Sequence, residues 1–184
     1  MRSGIAYHVD ATNGSSRRLS VKIDIDGPFN ENILELRFPR WVPGSYFIRE
    51  PIQHMSDLSA TCDGKEIEIK RVDVDGVRLT GISDASKIVV TYRLLAAEMT
   101  CRANHLDKTH VHIMPPYTWM MPTRGIDKER LNLSHKVTLA TPEGWNTATQ
   151  LTGEEGEWYA EGRDEFLDSI MESNANPIIS FDVM

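Results

Sequence analysis

Alternation of apolar and polar residues with a period of two is the feature that most constrains the fold of this 184-residue chain. In "IAYHV" the alternation places Ile5, Tyr7 and Val9 on one face of an extended segment. Because successive side chains of a strand point to opposite faces, such a run predicts a strand with one buried face. The same pattern recurs in "LSVKIDI", "ILELRF", "EIEIKRV", "KIVVTYRLL", "THVHIM", "LSHKVTL" and "EWYAE".

Turn-forming residues separate these runs and predict how the strands are joined. Gly stands beside Asn, Asp or Thr in "TNGSS", "DIDGPFN", "CDGKE", "DVDGV" and "LTGEEGE", and such pairs favour hairpin turns. Only residues 163–173, "RDEFLDSIMES", show a helical pattern. We therefore predict an all-β fold, an antiparallel β-sandwich of hairpins with at most one or two short helical turns. Since no internal repeat or low-complexity linker interrupts the chain, residues 1–184 are expected to form a single domain.

Charge and hydropathy limit the partners of the chain. Its formal net charge is −7 and its pI is about 5.4, which argues against nucleic acid or an anionic membrane as partner, because both attract basic patches. The aliphatic runs are far shorter than the roughly 20 residues that cross a bilayer. The first ten residues, "MRSGIAYHVD", lack the apolar segment of a secretion signal, so we expect a cytoplasmic protein. The sequence leaves the oligomeric state open, a homo-oligomer included.

The common catalytic motifs are missing from the sequence. It has no glycine-rich phosphate loop, no "GxSxG" elbow, no "HExxH" helix and no cysteine pair with metal-ligand spacing. Two cysteines, Cys62 and Cys101, are too few for a disulfide scaffold and are expected to be buried free thiols. By itself the chain is expected to hold no cofactor and to have no catalytic residues.

The segment "HLDKTHVH" comes closest to a metal site. His110 and His112 stand two apart on a predicted strand, so both side chains point to one face, about 7 Å apart along it. With His105 and Asp107 just upstream, they are weak candidate ligands for zinc or copper. The alternative, which the pattern favours, is a set of polar residues on a solvated strand and turn, because "HxH" alone is not diagnostic.

Apolar residues on both faces distinguish the segment "YTWMM". A strand that buries only one face should alternate. Tyr117 and Trp119 are therefore candidates for an exposed platform that meets a ligand or another protein. Packing of Trp119 in the core is the alternative, and the sequence does not separate the two.

Three prolines mark residues 38–51, "FPRWVPGSYFIREP". Each proline removes a backbone donor, so the segment is not a central strand throughout. The tetrapeptide "VPGS" predicts a type II turn, and Trp41 before it is predicted to anchor the segment on the end of the sandwich. The turn leaves Arg49 and Glu50 unexplained, and with Tyr46 they are candidates for an interface or a substrate cleft.

Four stretches, in the same order, resemble the glycyl aminopeptidase family of gluzincin-type zinc metallopeptidases, which usually carry a PDZ domain. "WVPGSYFIRE" is similar to the family's "W-x-P-G-S-Y-x-I-R-E", and "PEGWNTATQL" to its "P-x-G-W-x-x-A-T-x-L". "MTCRANHLDKTHVHI" resembles "S-V-R-x-x-x-L-D" followed by a strand, and "EGRDEFLDSIMES" resembles "A-x-D-Y-D-E-L-x-D-S-P". The chain departs from the family at Pro51, where Phe is usual, and at Ile170-Met171, which replaces the usual Pro.

The resemblance implies an N-terminal β-sandwich ahead of a thermolysin-like catalytic domain whose "HExxH" zinc helix lies outside this sequence. Such a domain would be non-catalytic, would pack on the catalytic domain in cis and would shape a cleft for a peptide substrate, with zinc held by the catalytic domain. The final "NPIISFDVM" is expected to be a strand at a domain boundary.

In that setting Glu50 would pair with the α-ammonium group of the substrate and Arg49 would hold Glu50 in place. The alternative is an exposed ion pair of little energetic consequence. A second function stays open at this point, a stand-alone β-sandwich module that binds a ligand or protein through Tyr117 and Trp119.

Overall fold

The fold was obtained as a computed structural model that describes residues 5–41, 47–48, 50–126, 134–154 and 156–179. Three features predicted above fall outside the described residues: the side chains of Tyr46 and Arg49, and the "VPGS" turn. Of the predicted terminal strand, residues 176–179 form no strand, and residues 180–184 lie outside the described residues.

An eight-stranded sheet dominates the described part of the chain. Its strands are β1 (Ile5–Asp10), β2 (Arg18–Asp26), β4 (Met55–Cys62), β5 (Lys65–Glu66), β8 (Lys87–Leu95), β12 (His135–Ala140), β14 (Thr152–Glu154) and β15 (Glu157–Ala160). They lie in the order β14-β15-β12-β1-β2-β8-β4-β5. All neighbours are antiparallel except β1 and β12, which pair in parallel. This one parallel pair departs from the predicted antiparallel sandwich, because β12 joins β1 from far along the chain and not through a hairpin.

Two four-stranded sheets complete the sandwich. One contains β3 (Ile33–Arg37), β6 (Ile69–Val72), β7 (Gly76–Thr80) and β11 (Met121–Arg124), in the order β11-β3-β7-β6. The other contains β9 (His105–Leu106), β10 (His110–Ile113), β13 (Asn146–Thr149) and β16 (Met171–Asn174), in the order β13-β16-β10-β9. The described helices are short: α1 (Pro115–Thr118), α2 (Arg163–Asp168) and the 3₁₀ segments Gly14–Ser16 and Pro51–His54. None of them is long and apolar enough to cross a bilayer. The predicted all-β class is confirmed.

The period-two runs form one core shared by the three sheets. Ile5, Tyr7 and Val9 are buried on the inner face of β1, as the alternation predicts. The inner face of β2 buries four more aliphatic side chains, and β3 buries Leu34 and Leu36. All of these residues belong to a single hydrophobic cluster, so the sheets pack on one another around one core.

Two buried tyrosines tie the large sheet to the segment that follows α1. Tyr7 Oη donates to the carbonyl oxygen of Met120 at 3.2 Å, and Tyr92 Oη donates to that of Thr118 at 2.6 Å. Burial raises the pKa of both phenols above the ordinary value of 10. Both hydroxyls therefore stay protonated and act as fixed donors in the core.

The turn signals predict most but not all connections. Asp63 and Gly64 both have positive φ, 47° and 80°, in the β4–β5 hairpin, as a type I′ turn requires. The hairpins β6–β7 and β14–β15 also form at their predicted turns. "DIDGPFN" is an exception, since it carries the chain from β2 in the large sheet to β3 in a small one.

Several local predictions are wrong for identifiable reasons. The helix predicted over residues 163–173 ends at Asp168, and Met171–Asn174 form β16, because Met171 and Ser173 are buried against β10 and β13. The segment "YTWMM" is no strand: its start lies in α1, and only Met121 begins a strand.

Two predictions of burial are also wrong. Trp41 is 59% exposed and does not anchor the sandwich end. The cysteines are free thiols as predicted, but Cys62 is half-buried and Cys101 exposed. Small and apolar neighbours in sequence thus did not place either thiol in the core.

Candidate functional site

A polar pocket next to Glu50 is the first candidate site, and we call it the Glu50 pocket. It has a volume of about 400 Å³. Its lining includes Ile48, Glu50, His54, Glu98, Arg102 and Tyr117. Two of the predicted interface candidates, Glu50 and Tyr117, are therefore brought together although 67 positions separate them in the sequence.

The wall that carries Glu50 is fixed by the 3₁₀ segment that follows it. Pro51 stands at the first position of this segment, where its missing N–H costs no hydrogen bond. Pro51 and Ile52 are both buried, so they hold the segment against the core. Gln53 N donates to the carbonyl oxygen of Glu50 at 3.1 Å, which fixes the backbone at the pocket wall.

The opposite wall is held by the buried Asn104. Its Oδ1 accepts hydrogen bonds from Met114 N and Thr118 Oγ1, both at 2.8 Å. Its Nδ2 donates to the carbonyl oxygen of Tyr117 at 3.2 Å. These three bonds join the loop before β9 to α1, and they keep Tyr117 in the pocket lining.

The Glu50 pocket combines charge with an apolar rim. Among its described lining residues, Glu50 and Glu98 bring two carboxylates and Arg102 brings one guanidinium group. Ile48 lines the pocket and is 66% exposed, and Phe47 and Met99, the sequence neighbours of the lining residues Ile48 and Glu98, are 68% and 73% exposed; we call these three residues the apolar rim. Exposed apolar side chains next to a polar pocket are typical of a surface that contacts another protein or domain.

Trp119 does not contribute to this surface. Its side chain is 1% exposed and packs against the rings of Tyr7 and Phe166, each with a centroid distance of 5.3 Å. The platform predicted from Tyr117 and Trp119 is therefore corrected: Tyr117 lines the pocket, whereas Trp119 belongs to the core.

The predicted metal ligands form the second candidate site, and the structure separates them. His105, Asp107 and His110 each bring one ligand atom to within 4.8 Å of the others, which defines the His105 cluster. His112 does not join this cluster; its Nδ1 contacts Oε1 of Glu172 on β16. Three of the four predicted residues thus converge: the β9–β10 hairpin pairs His105 with His112, and the ring of His105 stacks on that of His110 across the hairpin.

A third constellation, which no sequence pattern indicated, lies on the open face of the large sheet. His8 bridges two strands: its Nδ1 lies 2.6 Å from Thr138 Oγ1, and its Nε2 lies 2.8 Å from Asp24 Oδ2. His8 and Thr138 line a depression of about 740 Å³ on this face. The three residues are too far apart in sequence for a local motif to reveal them; only the register of β1 with β2 and β12 joins them.

Thr138, His8 and Asp24 have the hydroxyl–histidine–carboxylate order of a catalytic triad. Their surroundings, however, differ from those of a catalytic triad. Thr138 lies in the middle of β12, which is paired on both sides by β1 and β15. The backbone donors around it serve the sheet, so they are not available as an oxyanion hole. Lys22 and Lys87 hold Asp24 in ion pairs. Burial and the nearby charge of Lys22 lower the pKa of His8, against the opposing effect of Asp24. This is a cross-strand polar network that stabilises the sheet.

Comparisons with known proteins agree with the fold. The family model described as the peptidase M61 N-terminal domain matches residues 6–172. No curated protein sequence gives a significant match.

Among solved structures, an aminopeptidase N family protein from Idiomarina loihiensis has a TM-score of 0.80 at 22% identity, over 92% of this chain and 29% of that one. An M1 zinc metallopeptidase from Deinococcus radiodurans, bound to a Tyr-Ser-Ala substrate, has a TM-score of 0.55 at 10% identity, over 94% and 41%. Yeast LTA4 hydrolase in complex with bestatin has a TM-score of 0.51 at 10% identity, over 94% and 28%. At these identities the likeness concerns the fold, and this chain spans well under half the length of each protein.

Proposed function

Because this chain belongs to the peptidase M61 N-terminal domain family, we propose that it is the non-catalytic β domain of a larger zinc aminopeptidase-like protein. In this proposal it packs on the catalytic domain in cis and forms one wall of the cleft for a peptide substrate. Zinc and a PDZ domain belong to other parts of that protein, and its proposed location is the cytoplasm.

The observation that carries the proposal is the Glu50 pocket with its apolar rim. The pocket carries two glutamates and one arginine among its described residues, and the exposed Ile48 lines it, with the exposed Phe47 and Met99 next in sequence to lining residues. Apolar side chains of this kind gain stability when a neighbouring domain covers them. The pocket between them would then become part of the boundary between the two domains.

Glu50 is the residue we assign to the substrate. A carboxylate at the wall of an aminopeptidase cleft can accept charge-assisted hydrogen bonds from the α-ammonium group of a peptide. Glu50 stands on a backbone fixed by buried Pro51 and Ile52, so its side chain starts from a defined position. Arg49, its sequence neighbour, is proposed to orient it.

Kinetics of the full-length protein test this assignment. Glu50→Ala should lower kcat/KM for small aminoacyl substrates about 10–100-fold, the equivalent of one lost hydrogen bond to a charged group. Glu68→Ala is the matched control, since Glu68 is an exposed glutamate paired with Lys70 on another surface. Equal kinetics for the two variants would remove Glu50 from the cleft.

Packing on the catalytic domain is tested separately. The present chain and the catalytic domain would be produced as two polypeptides, and their association measured by calorimetry. Replacing Ile48 and Met99 with Ser should weaken the association without lowering the melting temperature of the present chain, because both side chains are exposed. Unchanged association would show that the apolar rim does not face the catalytic domain.

A stand-alone binding module finds less support. That alternative relied on a platform of Tyr117 and Trp119, and Trp119 is buried. We therefore keep the domain-packing function as the proposal.

A further inference from the structure

The His105 cluster has the composition of a transition-metal site. It combines two imidazoles with one carboxylate from a single hairpin, β9–β10. Nε2 of His105 lies 3.2 Å from Oδ2 of Asp107, and Nδ1 of His110 lies 3.6 Å from Oδ1 of the same residue. The two imidazole rings stack, with centroids 4.6 Å apart and planes 21° from parallel.

These separations are close to those of atoms that share one metal ion. Two ligand atoms at about 2.0–2.1 Å from a tetrahedral Zn²⁺ lie about 3.4 Å from each other. The contacts of Asp107 with both histidines bracket that distance. His110 is partly exposed, so a small rotation of its side chain can bring the third pair of atoms together.

His105 supplies a second, independent observation. His105 is 2% exposed, and among the described residues its Nδ1 has no hydrogen-bond partner, while its Nε2 has only the 3.2 Å contact with Asp107 Oδ2. A buried polar atom without a partner is unfavourable and calls for an explanation. The neighbouring Oδ2 of Asp107 stands near Nε2 without a well-aligned hydrogen bond, as two ligands of one cation do.

The carboxylate is held in place by the turn that it caps. Its Oδ1 accepts hydrogen bonds from Thr109 N and Thr109 Oγ1, both at 2.7 Å, and from His110 N at 3.1 Å. Oδ2 takes no part in these bonds and faces His105. The turn also packs tightly on the buried Gly14, whose added Cβ would lie 2.1 Å from the carbonyl oxygen of Asp107. The ligand atoms therefore stand on a rigid backbone.

We propose that His105, Asp107 and His110 bind one divalent transition-metal ion, with a water molecule at the fourth position. Two nitrogen donors and one oxygen donor suit Zn²⁺, Co²⁺, Ni²⁺ or Cu²⁺ better than Mg²⁺ or Ca²⁺, which prefer oxygen ligands alone. His112 is outside the set because it contacts Glu172. The site is formed by this chain alone and is independent of the proposed role in a peptidase.

Calorimetric titration of the 184-residue chain with Zn²⁺ tests the site. The protein is first treated with a chelator, and the Cys101→Ser background removes an exposed thiol that could bind zinc by itself. We expect one Zn²⁺ per chain, a rise in melting temperature with Zn²⁺ and none with Mg²⁺. Co²⁺ should give the visible absorption bands of a four-coordinate site.

Two variants and one control make the test specific. Asp107→Asn keeps an oxygen to cap the turn but replaces the carboxylate, and His110→Gln removes a partly exposed ligand. Each should weaken Zn²⁺ binding more than about tenfold. His8→Gln, which alters a histidine paired with Asp24 on another face, should leave binding unchanged.

Absence of stoichiometric Zn²⁺ binding, or equal binding by His110→Gln and His8→Gln, would overturn the proposal. If Asp107→Asn does not fold, His110→Gln decides by itself, because the hydrogen bonds that Asp107 accepts from Thr109 and from the backbone of His110 do not need the imidazole.

Discussion

Asp75 illustrates at the scale of single residues how this fold keeps a buried carboxylate charged. Its side chain is 4% exposed. It accepts hydrogen bonds from Arg37 Nη1 at 2.7 Å and Arg40 Nε at 2.9 Å. Burial alone would raise its pKa, but the hydrogen bonds from Arg40 and the charge of Arg37 outweigh burial and hold the pKa below the ordinary value of 3.8.

Removing this charge should destabilise the fold. Asp75→Asn keeps the size of the side chain but loses the charge that faces two guanidinium groups, so the free energy of unfolding at pH 7 should fall by about 1–3 kcal/mol. Asp73→Asn is the matched control, because Asp73 pairs with the same Arg40 but is 51% exposed. The control should lose much less stability, because an exposed ion pair contributes little. Urea unfolding measures both values, and equal losses would contradict the role of burial.

The lowered pKa of Asp75 sets the direction in which stability changes with pH. A pKa that is lower in the folded than in the unfolded chain adds stability that is fully present above about pH 4 and is lost as the pH falls through the lowered value. Ion pairs lower the pKa of Asp24 and Glu35 as well, against the effect of their burial. Wild type should lose stability steadily below about pH 4, and its advantage over Asp75→Asn should shrink there. A pH-independent difference would contradict this account.

At the scale of elements, close approach of backbones decides where the small sheet with β9 and β10 sits. The 3₁₀ segment Gly14–Ser16 contacts β9. Gly14 permits this contact because it has no Cβ; any added Cβ would overlap the backbone of Asp107. Close contact between the β1–β2 connection and the β9–β10 hairpin therefore requires glycine at position 14.

Gly14→Ala should consequently destabilise the chain by about 1–3 kcal/mol, as overpacking does. Gly162→Ala is the control, since an added Cβ there meets no atom within 4 Å and its φ of −168° is ordinary extended backbone. It should change the free energy of unfolding by less than about 0.5 kcal/mol. Thermal unfolding of the two variants measures the difference. A neutral Gly14→Ala would show that the two loops can move apart freely.

At the scale of the whole molecule, an aromatic cluster joins α2 to the large sheet. Phe166 of α2 is 1% exposed and packs on Tyr7 of β1 with a centroid distance of 4.6 Å. It also stacks on Trp119, which precedes β11. Elements from both ends of the described chain thus meet at one cluster, and we expect them to unfold together.

Phe166→Ala should lower the free energy of unfolding by about 3–5 kcal/mol, because it leaves a cavity in the core. Tyr159→Ala removes an aromatic side chain that is 44% exposed and should lower the free energy of unfolding by less than about 1 kcal/mol.

Cooperative unfolding is tested on the wild-type chain. Far-UV circular dichroism and tryptophan fluorescence should report the same unfolding midpoint. Two separate midpoints would show that α2 and the sheets are not one cooperative unit.

Local features of this fold could be predicted from the sequence, whereas features that depend on long-range contacts could not. Strands such as β1, β2 and β8 were predictable, because one buried face imposes period-two alternation on the sequence itself. Residues 169–174 were not, because Met171 becomes a strand residue only through pairing with β10 and β13. Burial of Trp119 was left open and Trp41 was wrongly predicted to be an anchor, since both lie among prolines and apolar residues.

The sequence by itself determined the all-β class, most strands and a hairpin turn at Asp63 and Gly64. These follow from interactions between residues close in the chain, which alternation and turn chemistry record directly. Only the tertiary structure decided that Glu50 and Tyr117 share a pocket, that His105, Asp107 and His110 converge without His112, and that β1 pairs in parallel with β12. Those arrangements depend on register and packing between segments far apart in sequence, and no local pattern specifies such contacts.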